Sequence, residues 1–197
     1  MPLSGFFYEL NQEIKMITIT LQKIRDKSPC KPGWEKVLKA HKHLGMDAEF
    51  PLSSVIESND LDDTLWCLRC LPEHKNLWRK YAVWCGRQVQ HLMTDKRSIA
   101  ALDVAWRHSN GEATDEELAA AERAAWDAAW DATWDAAGAA AGAAAWAAAW
   151  AAAGAAAWAA AWAAAWAAAG AAARDAQQRK LLEILSAGEW VEDEQAA

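Results

Sequence analysis

The sequence predicts an all-α fold, in which an N-terminal multi-helix domain precedes a long helical tract rich in alanine and tryptophan. Three observations support this fold class. Apolar residues recur at helical spacing between residues 16 and 110. Residues 114–117 have the pattern of a helix start. Residues 136–173 contain only Ala, Trp and Gly, and Ala has the highest helix propensity of all residues.

Residues 1–15 differ in pattern from the helical residues after them. Gln12-Glu13 can be encoded by a ribosome-binding sequence, and Ile14-Lys15 supplies a spacer before Met16. One hypothesis is therefore that translation begins at Met16 and that residues 1–15 are an upstream extension. The alternative is an apolar N-terminal helix or flexible tail.

Residues 16–113 form the predicted helical domain. The segment SPCKPG breaks the first helix, and the next helix ends at Gly45. Pro51 is expected to open a short helix, and Asp60 is expected to cap the one after it. Two longer helices come next, and their apolar faces are formed by Leu77, Tyr81, Trp84, Cys85, Val89 and Leu92 and by Ile99, Leu102, Ala105 and Trp106. The segment 17–20 (ITIT) alternates like a strand but is too short to build a sheet alone.

Residues 114–187 form the predicted Ala/Trp-rich region, and its first turn is a capping box. The Thr114 hydroxyl can accept a hydrogen bond from the Glu117 amide, while the Glu117 carboxylate can accept one from the Thr114 amide. Acidic residues in a first turn also suit the helix dipole. We therefore expect a helix to begin here, and residues 188–197 to form an acidic tail that is flexible or held by Trp190.

One position in every four of the tract is occupied by Trp or Gly, and finally by Arg174. Each step of four residues turns a helix by about 400°, so the row drifts by about 40° per step. The indoles therefore follow a slow spiral. A repeated 12-nucleotide unit in the gene also explains this period, because the Trp, Gly and Arg codons TGG, GGG and CGG differ by one base.

The sequence leaves three arrangements of the tract open. A single helix over residues 115–186 would be about 105 Å long. A tract that folds back at Gly138, Gly142, Gly154 and Gly170, or that self-associates, would bury its indoles, and this is the favoured arrangement. A membrane-spanning tract is disfavoured, because Ala is barely apolar and Trp prefers the interface.

Charge limits the classes of partner. The net charge is −7, and residues 115–197 contribute 13 acidic but only 4 basic side chains. A nucleic-acid partner is not expected, because phosphate contacts need clustered Lys and Arg. A basic protein partner suits this charge. With no predicted signal peptide, the chain is expected to be cytoplasmic and its four cysteines reduced.

The sequence indicates no catalytic, cofactor-binding or metal-binding residues. Cys67 and Cys70 form a lone CxxC pair, which we interpret as buried helical cysteines. Arg79, Lys80 and Arg87 are interpreted as an exposed helix face, and His91 and His108 as histidines without identifiable partners. The candidate partner-binding residues are Asp127, Asp131 and Asp135, which recur at four-residue spacing.

Three stretches support a family resemblance: SPCKPGW, SNDLDDTLWCLRC and YAVWCGRQVQHLMTDKRSIAALDVAWRHSNGEATDEELAAAERAAWDAAW. They resemble the Imm5-like immunity proteins, which also occur as phage and prophage proteins. The resemblance runs from about residue 16 to the end and is strongest over residues 53–125. It implies a helical domain followed by an Ala-rich tail, and it implies no catalytic activity. The uncharged Trp and Gly pattern of residues 136–173 departs from the family.

The resulting hypothesis is a non-enzymatic immunity protein that binds and neutralises a toxin or effector protein. The first alternative is a phage or prophage structural or accessory protein, whose Ala/Trp helix self-associates into a homo-oligomer. The second is a membrane-associated helix.

Overall fold

The computed structural model describes residues 16–134 and 171–193, and this part of the chain is mostly helical, which confirms the predicted all-α class. Short 3-10 turns lie between several of the elements. In chain order the elements are β1 (Thr18–Thr20), α1 (Leu21–Asp26), α2 (Lys31–His41), β2 (Glu49–Pro51), α3 (Ser54–Ser58), α4 (Leu61–Cys67), α5 (Lys75–Gln88), α6 (Lys96–Ser109), α7 (Asp115–Trp134) and α8 (Ala171–Ala187).

The two strands form a small antiparallel ribbon against the helices. Ile19 of β1 pairs with Phe50 of β2, and both side chains are buried. The prediction that Pro51 opens a helix was wrong, because Pro51 ends β2 and α3 begins at Ser54. The backbone stays extended here because the Leu52 amide donates to the Ile17 carbonyl at 2.9 Å.

The ribbon leads directly into the first helices. Thr20 caps α1 by accepting a hydrogen bond from the Lys23 amide at 3.1 Å. The Asp60 carboxylate accepts from the Asp63 amide at 2.8 Å, so the predicted cap of α4 is confirmed. Each cap satisfies an amide that has no partner within the helix itself.

Helices α5, α6 and α7 pack in sequence order along one side of the core. α5 and α6 approach closely at Gly86, where an added Cβ would lie 2.8 Å from Cδ2 of Leu102. α7 packs along α6 and buries Leu118, Ala125 and Ala128. This arrangement fixes which face of α7 points to solvent.

Helix α8 returns to the same core that the N-terminal helices form. Leu181, Ile184 and Leu185 are fully buried there, and Leu118 of α7 belongs to the same cluster. A straight helix would place residues 118 and 185 roughly 100 Å apart. The single straight helix over 115–186 is therefore excluded, whereas the glycines proposed as bends lie outside the described residues.

Three contacts fix the position of α8. The Ile17 amide donates to the Leu185 carbonyl at 2.9 Å, and the buried Tyr81 hydroxyl donates to the Gln177 carbonyl at 3.1 Å. Arg174 forms an ion pair with Asp62 at 2.8 Å. These contacts join α8 to the residue that precedes β1, to α5 and to α4.

Within residues 16–134 and 171–193, no helix combines the length and the apolar character that crossing a bilayer requires.

Candidate functional site

Two of the three candidate partner-binding aspartates, Asp127 and Asp131, lie in the C-terminal half of α7. Asp127 is exposed, while Ala125 and Ala128 on the opposite side are buried. Asp131 lies one turn further along the same helix, and Asp135 lies outside the described residues. The packed alanines therefore orient α7 so that Asp127 faces solvent.

The start of α7 is held by the hydrogen bonds expected of a capping box. The Thr114 amide donates to Glu117 Oε2 at 2.7 Å, and the Glu117 amide donates to Thr114 Oγ1 at 3.2 Å. Arg107 of α6 donates to Glu117 Oε1 at 3.3 Å. The bonds from Thr114 and Arg107 lower the pKa of the Glu117 carboxyl below its usual value. The carboxylate thus ties the first turn of α7 to α6.

A chain of polar contacts that the sequence did not reveal joins α5, α6 and α7. Arg79 donates to His108 Nδ1 at 3.0 Å, and His108 Nε2 lies 2.7 Å from Asp115 Oδ1. Because arginine can only donate, Nδ1 accepts, and the proton of the neutral ring is on Nε2, facing the carboxylate. The bond from His108 lowers the pKa of the Asp115 carboxyl.

This chain of contacts corrects two interpretations of the sequence. Arg79 is not exposed, since only 7% of its surface remains accessible. His108 has two hydrogen-bond partners. In the sequence, Asp115 is separated from it by seven positions and Arg79 by twenty-nine. No short spacing in the sequence indicates such a contact. Because the contacts from Arg79 through His108 to Asp115 lie between three helices, we interpret their role as structural, in positioning α7.

The two cysteines of the CxxC pair are buried and free. Burial raises the pKa of both thiols, that of Cys70 to about 11. Thiols with such pKa values remain protonated at neutral pH, and the protonated form is a poor nucleophile and metal ligand. Within residues 16–134 and 171–193, no group of His, Cys, Asp and Glu side chains is placed to hold a metal ion.

The beginning of the acidic tail is fixed to the helices by a buried lysine. Lys180 of α8 is only 3% exposed, and its ammonium donates to the Val191 carbonyl at 2.6 Å and to Asp193 Oδ1 at 2.5 Å. The indole of Trp84 donates to Asp193 Oδ2 at 2.9 Å. Trp190 packs edge-on against Trp106 with ring centroids 5.3 Å apart. Trp190, Val191 and Asp193 are therefore held against α5, α6 and α8.

Changing Asp193 to Asn should remove a pH-dependent contribution to stability. The hydrogen bond from Lys180, with that from Trp84, lowers the pKa of Asp193 in the folded chain. Its contribution is therefore present above the unfolded pKa of about 3.9 and is lost as pH falls through the folded pKa. Because the Asp193 side chain is half exposed, we expect about 1 kcal/mol or less at pH 7.

Urea unfolding at pH 7 and pH 3 measures this effect. The stability difference between wild type and Asp193→Asn should shrink at pH 3, whereas the neighbouring Glu192→Gln serves as the control. A difference that is equal at both pH values would contradict the role of the carboxylate.

A half-open cleft lies between α1, α2, α3 and α4. Its volume is about 80 Å³, and its walls are mainly apolar. Asp63 and Asn59 form a polar edge, and the Asn59 amide donates to Asp63 Oδ2 at 2.8 Å and to the Gly33 carbonyl at 2.9 Å. The other lining residues are Ile24, Pro29, Cys30, Gly33, Val37, Val55, Trp66 and Cys67. The sequence did not reveal this cleft, because its walls come from four separate elements.

The described residues thus define an all-α protein with a small strand ribbon, an exposed aspartate on α7 and an apolar cleft edged by a carboxylate. Comparison of the chain with family models, curated proteins and solved structures finds no match. The resemblance to the Imm5-like immunity proteins therefore stays a prediction from the sequence.

Proposed function

We propose that this chain is a non-enzymatic, cytoplasmic protein that binds and neutralises a toxin or effector protein. The observation that most directly supports binding is the exposed Asp127 on α7, opposite the buried Ala125 and Ala128. A helix end held by packing on one side can present carboxylates on the other without moving. The resemblance to the Imm5-like immunity proteins supports the neutralising role.

The charge of the chain favours a basic partner. The half of the sequence that begins at residue 115 is strongly acidic, and Glu116 at the start of α7 is exposed like Asp127. Opposite charges on two proteins accelerate their encounter and suppress unsuitable partners. Asp131 and Asp135 belong to the proposed surface because they continue the four-residue spacing.

Reversing the charge of this surface should weaken partner binding. In the variant Asp127→Lys/Asp131→Lys/Asp135→Lys, we expect affinity to fall at least about tenfold, because like charges then oppose each other across the interface. The matched control is Asp47→Lys/Glu57→Lys/Glu192→Lys, which makes the same change of net charge at exposed residues elsewhere. Titration calorimetry with the partner, after its affinity capture from the native host, measures both variants. Equal affinity of the two variants would refute the surface assignment.

The neutralising role has a separate test. The captured partner is expressed alone and together with this chain, and cell growth is recorded. The proposal expects growth inhibition by the partner alone and relief by the wild-type chain, with less relief by the α7 charge-reversal variant. A partner that does not inhibit growth, or that inhibits it equally in the presence of the chain, would contradict neutralisation.

A further inference from the structure

The cleft between α1 and α4 combines an apolar interior with a carboxylate at its edge. Ile24, Val37 and Val55 are buried side chains that line it. A volume of about 80 Å³ exceeds what a single water needs and suits a short aliphatic chain. Apolar walls of this kind favour hydrocarbon over water.

The carboxylate at the edge differs from its neighbours on α4. Asp60 lies 3.8 Å from the Lys36 ammonium, and Asp62 lies 2.8 Å from the Arg174 guanidinium. Asp63 accepts its hydrogen bond from the neutral amide of Asn59, and the described residues place no cation within salt-bridge distance of it. A negative charge at the edge of an apolar cleft favours a cationic group there.

The Asp63 carboxylate lies close against Gly33 of α2. A Cβ at this position would lie 3.1 Å and 3.2 Å from the two Asp63 oxygens and 3.2 Å from Cys30 Sγ. The absence of a side chain at Gly33 therefore lets the carboxylate keep its place at the edge of the cleft, where a side chain would displace it.

We infer that the cleft binds a lysine side chain of a protein partner, with the aliphatic stem among the apolar walls and the ammonium on Asp63. Lysine suits the site because its stem is apolar and its charge is compact, whereas arginine presents a broad planar fork. This inference rests on the proposed function, since it names a recognition element of the same partner.

The test uses the full chain and small probes. The probes are Nα-acetyl-lysine N-methylamide, the norleucine analogue with no amine, and n-butylamine. Binding is followed by NMR at the indole N–H of Trp66, which lines the cleft and is assigned by its loss in Trp66→Phe. We expect the lysine probe to shift this signal with millimolar affinity, and the norleucine analogue to bind at least about tenfold more weakly.

Three variants connect binding to the carboxylate. Asp63→Asn keeps the shape but removes the charge, and Gly33→Ala keeps the charge but places a methyl group against it. Both should weaken the lysine probe at least about tenfold. The matched control Asp62→Asn removes a neighbouring carboxylate that does not line the cleft, and it should bind as wild type does. Gly33→Ala should fold, because Ala is favoured over Gly within α2.

The outcomes separate this inference from the proposed function. Equal binding of the lysine and norleucine probes, or unchanged binding by Asp63→Asn, would overturn the ammonium site and leave toxin neutralisation untouched. Binding of n-butylamine without the lysine probe would overturn the protein lysine as occupant. A partner that proves harmless would overturn neutralisation, while the probe results would still support the lysine site.

Discussion

Replacing Leu185 with Ala is expected to lower the free energy of unfolding by about 2–5 kcal/mol. Leu185 is fully buried, and its carbonyl accepts a hydrogen bond from the Ile17 amide at 2.9 Å. The substitution leaves a cavity in the core cluster to which Ile17 and Leu185 belong. The backbone hydrogen bond is kept in the variant, but it does not replace the lost apolar contacts. Since domains are typically stable by 5–15 kcal/mol, this is a large fraction of the total.

The control for this prediction is Leu182→Ala on the same helix. Leu182 is only partly buried, so the same chemical change should cost about 1 kcal/mol. Urea unfolding followed by circular dichroism measures both variants. If the two substitutions cost the same, α8 does not pack in the core as described.

Replacing Gly86 with Val is expected to destabilise the protein by about 2–3 kcal/mol. The α5–α6 contact leaves no space for a side chain here, because a Cβ would lie 2.8 Å from Cδ2 of the buried Leu102. The two additional methyl groups of Val increase the overlap. The better helix propensity of Val offsets only a few tenths of a kcal/mol.

A double-mutant cycle with Leu102→Ala shows whether overlap is the cause. Leu102→Ala removes the opposing methyl groups. The loss of unfolding free energy in the double variant should therefore be at least about 1 kcal/mol smaller than the sum of the losses in the two single variants. Additive costs would mean that Gly86 is required for another reason. Thermal and urea unfolding of the four proteins provide the comparison.

The sequence predicts local structure well because its signals are local. The Asp60 cap and the hydrogen bonds between Thr114 and Glu117 each join residues three positions apart. Propensity and side-chain chemistry within one turn are sufficient to identify them. The fold class is predicted from the same kind of signal, since helical periodicity is repeated in almost every segment.

The features that the sequence does not reveal depend on distant residues. The segment of residues 17–20 alternates like a strand, but its partner strand Glu49–Pro51 is only three residues long and ends in proline. Arg79 and His108 are both on helices with other polar residues, so their contact depends only on how α5 and α6 pack. The cleft likewise exists only after four elements have assembled. The carboxylate at its edge belongs to Asp63, and nothing in the sequence distinguishes this residue from the adjacent Asp62, which forms an ion pair with Arg174.

The return of α8 to the core has a consequence for how the gene can change. Leu118 and Leu185 are held in one cluster, so the chain between α7 and α8 is a connection with two fixed ends. The residues that form this cluster lie outside the four-residue repeat units of residues 136–170. Replication slippage that inserts or deletes whole four-residue units is therefore expected to change the length of the chain without changing the residues of the core.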